Sequence, residues 1–100
     1  MITNKGNAIV YCEGSFNTPN GKTTHGLVRF SERFNILAVI DSEYHGKNSG
    51  MVLDGRNNKI PVVKSLENAL ILGKSRGIEA SDLIIGLAPA AHGGNRTGRI

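Results

Sequence analysis

IPVVKSLENALILGKSRGIEASDLIIGLA, residues 60–88, holds two short apolar runs on either side of one helical pattern. The runs, residues 60–63 (IPVV) and 83–88 (LIIGLA), do not alternate polar with apolar, as expected of strands covered on both faces of a parallel sheet. Pro61 cannot donate a ladder hydrogen bond and marks the first run as a short or edge strand. Between them Ser65 suits an N-cap and Glu67 the first turn, while Leu66, Ala69, Leu70 and Gly73 form an inward stripe. Lys74 and Arg76 suit the last turn, Gly77 the left-handed position after it, and Ile78 folds back onto the helix. The stretch reads as a strand–helix–strand unit.

The same alternation continues upstream. Residues 8–12 (AIVYC) and 36–40 (ILAVI) are two further apolar runs. Between them Leu27, Phe30 and Phe34 recur at helical spacing within residues 22–34, and Thr18-Pro19 is a helix-start signal. The expected order is β-α-β-β-α-β, an α/β fold with a small parallel sheet, right-handed crossovers and helices on the sheet faces. Residues 42–59, with glycines at 46, 50 and 55, are expected as one long irregular loop of the kind that carries function. Residues 1–94 form a single domain in this reading, and residues 95–100 a basic flexible tail.

Composition narrows the function classes. With 100 residues there is room for one small core, and 39% apolar content with only 5% aromatic residues makes that core aliphatic. The net charge of +4 comes without any block of Lys or Arg. Arg96 and Arg99 lie in an acid-free end, leaving ten basic against eight acidic residues elsewhere, so no nucleic-acid partner is expected. Cys12 is the sole cysteine, which excludes an internal disulfide or cysteine metal site and suits a small buried residue. His25, His45 and His92 fall in three separate segments with no local ligand pair, so no metal is expected. Neither a signal peptide nor a run of about 20 apolar residues is present, and a cytoplasmic protein without a membrane partner is expected.

Ligands of open α/β sheets bind at the carboxyl ends of the strands. That rule gathers the residues after each run. After the first come Gly14, Asn17, Gly21, Lys22, Thr23 and Thr24; after the second, Asp41, Gly46 and Lys47; after the third, the start of the second helix at Ser65; after the last, His92, Gly93 and Gly94. Gly21-Lys22-Thr23 ends like the phosphate loop G-x-x-x-x-G-K-[ST], but Phe16 stands where the first glycine belongs and the nearest upstream glycine is Gly14. An anion held by Lys22, a threonine hydroxyl and helix-end amides is one reading of this loop; an ordinary connection with capping threonines and a solvated lysine is the other. Asp41 is either a ribose-binding acid or a turn acid satisfying loop amides, and no G-x-G-x-x-G fingerprint follows the first strand.

GKTTHGLVRF, AVIDSEYHGKNSG, IPVVKSLENAL and DLIIGLAPAAHGG, in that order, resemble the N-terminal Rossmann-like domain of the D-glutamate N-acetyltransferase-like proteins, across about residues 7–94. That family was long catalogued as a conserved domain family of unknown function. A fold-level similarity to the CoA-binding domain of succinyl-CoA synthetase alpha subunits would match Gly46-Lys47-Asn48-Ser49-Gly50 to that domain's glycine-rich loop. The resemblance implies a Rossmann-like fold, acetyl-CoA as acyl donor and the amine of an acidic amino acid as acceptor. Family members are much longer, so the resemblance implies a C-terminal domain as partner; an exposed sheet edge would favour a homo-oligomer instead. The function expected is therefore a ligand-binding domain for a small anion, a CoA or nucleotide phosphate or a substrate carboxylate. The alternative is a truncated structural or dimerisation module without catalytic activity.

Overall fold

The computed structural model describes residues 6–30, 34–86 and 96–99. Strand β1 (Gly6–Tyr11) leads through a 3-10 turn (Pro19–Gly21) into helix α1 (Lys22–Phe30) and strand β2 (Phe34–Ile40). Helix α2 (Ser49–Asp54), strand β3 (Val62–Val63), helix α3 (Leu66–Ser75), strand β4 (Asp82–Ile85) and strand β5 (Arg96–Arg99) follow. The sheet runs β3-β2-β1-β4-β5, with the first four strands parallel and β5 antiparallel to β4. The α/β class and the parallel core agree with the sequence.

This order explains the two layers of helices. The chain steps β1 to β2 to β3 in one direction, so right-handed crossovers place α1 and α2 on one face. It then reverses to reach β4 beyond β1, and α3 must cross the opposite face. Ala8, Val10 and Cys12 accordingly pack with Phe16, Val39, Val62 and Ile84 beneath Leu27, Val28, Val52 and Leu53. On the other face Ile9, Leu37, Ala38 and Ile40 meet Ala69, Leu66 and Leu72. The pairing of β1 with β2 slips between Ala8 and Ile9, which puts Leu37 and Ala38, successive residues, on the α3 side. Gly73 makes room there, since a Cβ would lie 2.9 Å from Leu37 Cδ2 and 2.8 Å from the Ile78 carbonyl oxygen. Each fully buried Ile or Val in these layers contributes about 1.5–3 kcal/mol.

Four details depart from the sequence reading. Residues 42–59 are not one irregular loop but contain α2. Asn48 caps it by accepting from the Gly50 and Met51 amides, and Gly55 closes it in the left-handed region (φ 71°). Phe34 begins β2 rather than extending α1, and its side chain packs against the first cluster. The third strand shrinks to Val62–Val63, although the Pro61 carbonyl still accepts from Val39 N at 3.0 Å. Finally, Arg96–Arg99, expected in a flexible tail, pair with β4 and satisfy an edge that would otherwise be open.

Candidate functional site

The loop after β1 is organised around Phe16. Its side chain is fully buried, its amide donates to Asp41 Oδ2 at 3.0 Å, and its carbonyl is bonded to His25 Nε2. The ring also meets those of His25 and Tyr44 edge-on, with centroids 5.9 and 6.4 Å away. The residue that breaks the phosphate-loop spacing is thus the one that fills the loop. Gly21 is glycine because this packing demands it: a Cβ would press on the Ser15 carbonyl oxygen and lie 2.7 Å from that of Phe16.

Few helix-end amides are left here for an anion. Thr18 Oγ1 accepts from Asn20 N, the Gly21 amide donates to the Thr18 carbonyl, and Lys22 N donates to the Pro19 carbonyl. Pro19 has no N–H at all. The 3-10 turn therefore fills the end of α1 that the sequence reading gave to an anion. Thr24 is fully buried and its hydroxyl donates to the Gly86 carbonyl at 2.8 Å, which ties α1 to the end of β4. Gly86 cannot carry a side chain, because a Cβ would strike Thr24 Oγ1 and lie 2.7 Å from Val10 Cγ1. Cys12 is buried beside the same carbonyl, and desolvation pushes its thiol pKa up.

Asp41 makes the contacts of a turn acid. It is fully buried, and besides Phe16 N it accepts from Glu43 N at 2.9 Å. Four of the five amides of residues 46–50 are also committed. Gly46 N donates to the Val62 carbonyl, Lys47 N to Tyr44, Ser49 N to Ile60, and Gly50 N to Asn48 Oδ1. A Cβ at Gly50 would strike the Arg56 carbonyl oxygen. This segment does not fit the phosphates of CoA through its backbone, which is folded against β3 and the end of α2. Gly14 (φ 74°) and Gly46 (φ 84°) each occupy an exposed turn whose left-handed backbone favours glycine. Lys22 is exposed and Thr23 half-buried. His92, Gly93 and Gly94 lie outside the described residues.

Among the described residues, two clefts open at the carboxyl edge. The first, about 480 Å³, opens on the α3 face where the strand order reverses between β1 and β4. Its floor is Tyr11, Ile40, Leu83 and Ile85; Lys64, Ser65 and Leu66 bound it at the start of α3, and Glu13 stands across from them on the loop after β1. Ser65 Oγ accepts from Asn68 N at 3.2 Å, whereas the other first-turn amides of α3 have no acceptor within the helix. Glu13 is clamped by Ser42, whose hydroxyl and amide both donate to its carboxylate and hold its pKa below the usual range. The sequence placed Ser65 at this edge but left out Lys64, Tyr11 and Ile85. The available signal was the strand period: Tyr11 sits opposite Ile85, and Ile9 opposite Leu83, on one face. The second cleft, about 510 Å³, lies on the α1/α2 side and includes Asn17 and Lys47.

Among the described residues, no three His, Cys, Asp or Glu side chains gather as a metal site, and no helix is long and apolar enough to cross a membrane. Neither a family model nor a curated protein matches the chain. Among solved structures the chain is similar to a DUF1611 family protein, a domain of unknown function, from Anabaena variabilis. The two share 30% identity with a TM-score of 0.69, over 85% of this chain and 22% of the other. The chain thus spans less than a quarter of that relative's length, and the likeness supports the α/β fold.

Proposed function

We propose that this chain is a Rossmann-like ligand-binding module that receives the anionic group of a small molecule in the cleft between the carboxyl ends of β1 and β4. The observation that carries this reading is the coincidence of three features at one place: the reversal of strand order, a cleft of about 480 Å³, and Lys64 beside the first-turn amides that the Ser65 cap of a ten-residue helix leaves over. Lys64 would supply the charge, the first-turn amides of α3 directional donors, and Tyr11, Ile40, Leu83 and Ile85 an apolar bed for the rest of the ligand. The resemblance to D-glutamate N-acetyltransferase-like proteins gives the finer reading. In it the module is the N-terminal part of a longer cytoplasmic acetyl-CoA-dependent enzyme, and the anion is a CoA or nucleotide phosphate or a substrate carboxylate. Acetyl transfer itself is assigned to the remainder of such a protein.

Calorimetry of the chain against CoA, ATP, D-glutamate and inorganic phosphate tests the reading. Binding of at least one is expected, weakened about ten-fold or more by Lys64→Ala, in line with a charge-assisted hydrogen bond, and left intact by Lys22→Ala. The opposite pattern would return the site to the loop after β1. A second reading, a structural or dimerising module, is favoured by Leu70 and Ile71, which are 38% and 57% exposed on α3. Sedimentation equilibrium showing a dimer that Ile71→Lys dissociates, with no ligand bound, would support it.

A further inference from the structure

The second cleft, on the α1/α2 side of the sheet, differs in chemistry from the first. Its walls come from the loop after β1 (Asn17), the turn after β2 (Tyr44, Lys47), α2 (Met51, Val52) and the connection that follows (Asn57). Tyr44 is half-buried and set edge-on against Phe16, interplanar angle 72°, and Phe16 is itself fixed by Asp41. The ring is therefore a backed surface rather than a free side chain. Met51, on α2, is a large apolar side chain left 48% exposed. An aromatic ring and a polarisable thioether bordering one slot suit a flat ring system.

The polar groups narrow the class. Asn48 also borders the cleft, but its side chain is spent: Oδ1 accepts from the Gly50, Met51 and Asn58 amides, and Nδ2 donates to the Asn58 carbonyl at 2.6 Å. The side chains of Asn17 and Asn57 have no hydrogen-bond partner among the described residues. Each carboxamide offers a donor and an acceptor in one plane, the complement of a heterocycle edge that carries both. Among the described residues no carboxylate lines the cleft, and Lys47 is exposed without an ion pair. We infer that this cleft is a nucleotide site: a nucleobase lies between Tyr44 and Met51, read by Asn17 and Asn57, with its phosphate on Lys47. The inference is independent of the anion at Lys64, and neither site needs the other.

Calorimetry of the full chain with adenosine, AMP, UMP and inorganic phosphate tests it. A nucleoside monophosphate is expected to bind more tightly than phosphate. Tyr44→Leu, which keeps an apolar contact with Phe16, should weaken it about ten-fold or more, as loss of base stacking does. Asn57→Ala, at an exposed position, should weaken nucleoside and nucleotide alike. Lys47→Ala should weaken AMP while leaving adenosine unchanged, and Lys64→Ala should leave adenosine unchanged. No binding of any nucleoside or nucleotide to the parent chain overturns the inference. So does nucleotide binding that survives both Tyr44→Leu and Asn57→Ala. Nucleotide binding lost only in Lys64→Ala would overturn it while upholding the anion cleft on the other face.

Discussion

Replacing Phe16 by glycine completes the phosphate-loop pattern, because Phe16→Gly puts the missing residue five positions before Gly21. If the motif were all that mattered, the variant would gain MgATP binding. The structure predicts the reverse. Phe16 is 0% exposed, and truncating such a side chain to alanine costs about 3–5 kcal/mol. The glycine adds roughly 0.4–1 kcal/mol through the freedom it gives the unfolded chain. A domain of this size has about 5–15 kcal/mol in all, so the variant sits near the edge of stability. At roughly 4–8 °C per kcal/mol its melting midpoint falls by about 14 °C or more. MgATP gains nothing, since the amides of Asn20, Gly21 and Lys22 remain committed to Thr18 and Pro19. Thermal unfolding by far-ultraviolet circular dichroism measures the first effect and calorimetry with MgATP the second. Phe16→Leu, which keeps part of the buried volume, should fall between the two proteins. A Phe16→Gly variant that melts within a few degrees of the parent, or that binds MgATP, refutes the account of Phe16 as the filler of this loop.

Three other outcomes are expected. Thr24→Val leaves the Gly86 carbonyl without its hydroxyl donor in a buried site and should cost about 1–3 kcal/mol in urea unfolding at unchanged slope, whereas Thr24→Ser should recover most of it. Gly86→Ala forces a methyl group against Thr24 Oγ1 and Val10 and should cost about 1–3 kcal/mol by the same assay; a neutral result would mean that α1 can move off β4 freely. Glu13 has a lowered pKa, caused first by the Ser42 hydroxyl and then by the Ser42 amide. Its stabilisation is therefore complete above the unfolded carboxylate value of about 4.3 and disappears as pH falls through the lower native value. Parent and Glu13→Gln should differ in urea midpoint at pH 6 and converge towards pH 3, and a constant gap would contradict the clamp.

The parts of this fold that were legible in the sequence are those where one local signal is enough. Residues 60–88 announce a strand, a capped helix and a strand, and Ser65 and Gly77 stand where the cap and the left-handed residue belong. Helix α2 was hidden because it is only six residues long and its cap, Asn48, is also fastened to Asn58 ten residues away. Phe34 fitted the helical stripe of α1 and the apolar face of β2 equally well, and packing decided for the strand. The site was harder. Gly21, Thr24 and Asp41 have the residue types of a ligand loop, yet Gly21 is hemmed in by the Ser15 and Phe16 carbonyls, and Thr24 and Asp41 are held by distant partners, Gly86 and Phe16 N. Sequence spacing says nothing about such partners. Lys64 had the converse problem, being an unremarkable lysine until the strand order set it beside Tyr11 and Ile85.

The position of β1 at the middle of the sheet also bears on how the chain is assembled during synthesis. β1 is made first and can pair with β2 as soon as residue 40 has emerged. Its other side waits for β4, and Asn7 N bonds to Ser81 Oγ across 74 positions of chain. Until that partner arrives the nascent polypeptide carries an open edge on a strand whose centre, Ala8, Ile9 and Val10, is buried in the folded protein. Contacts this distant in sequence close slowly, and unpaired edges are where aggregation begins. Docking of β4, fastened by Thr24 and Gly86, is therefore the step at which the emerging chain stops being vulnerable to its neighbours on the ribosome.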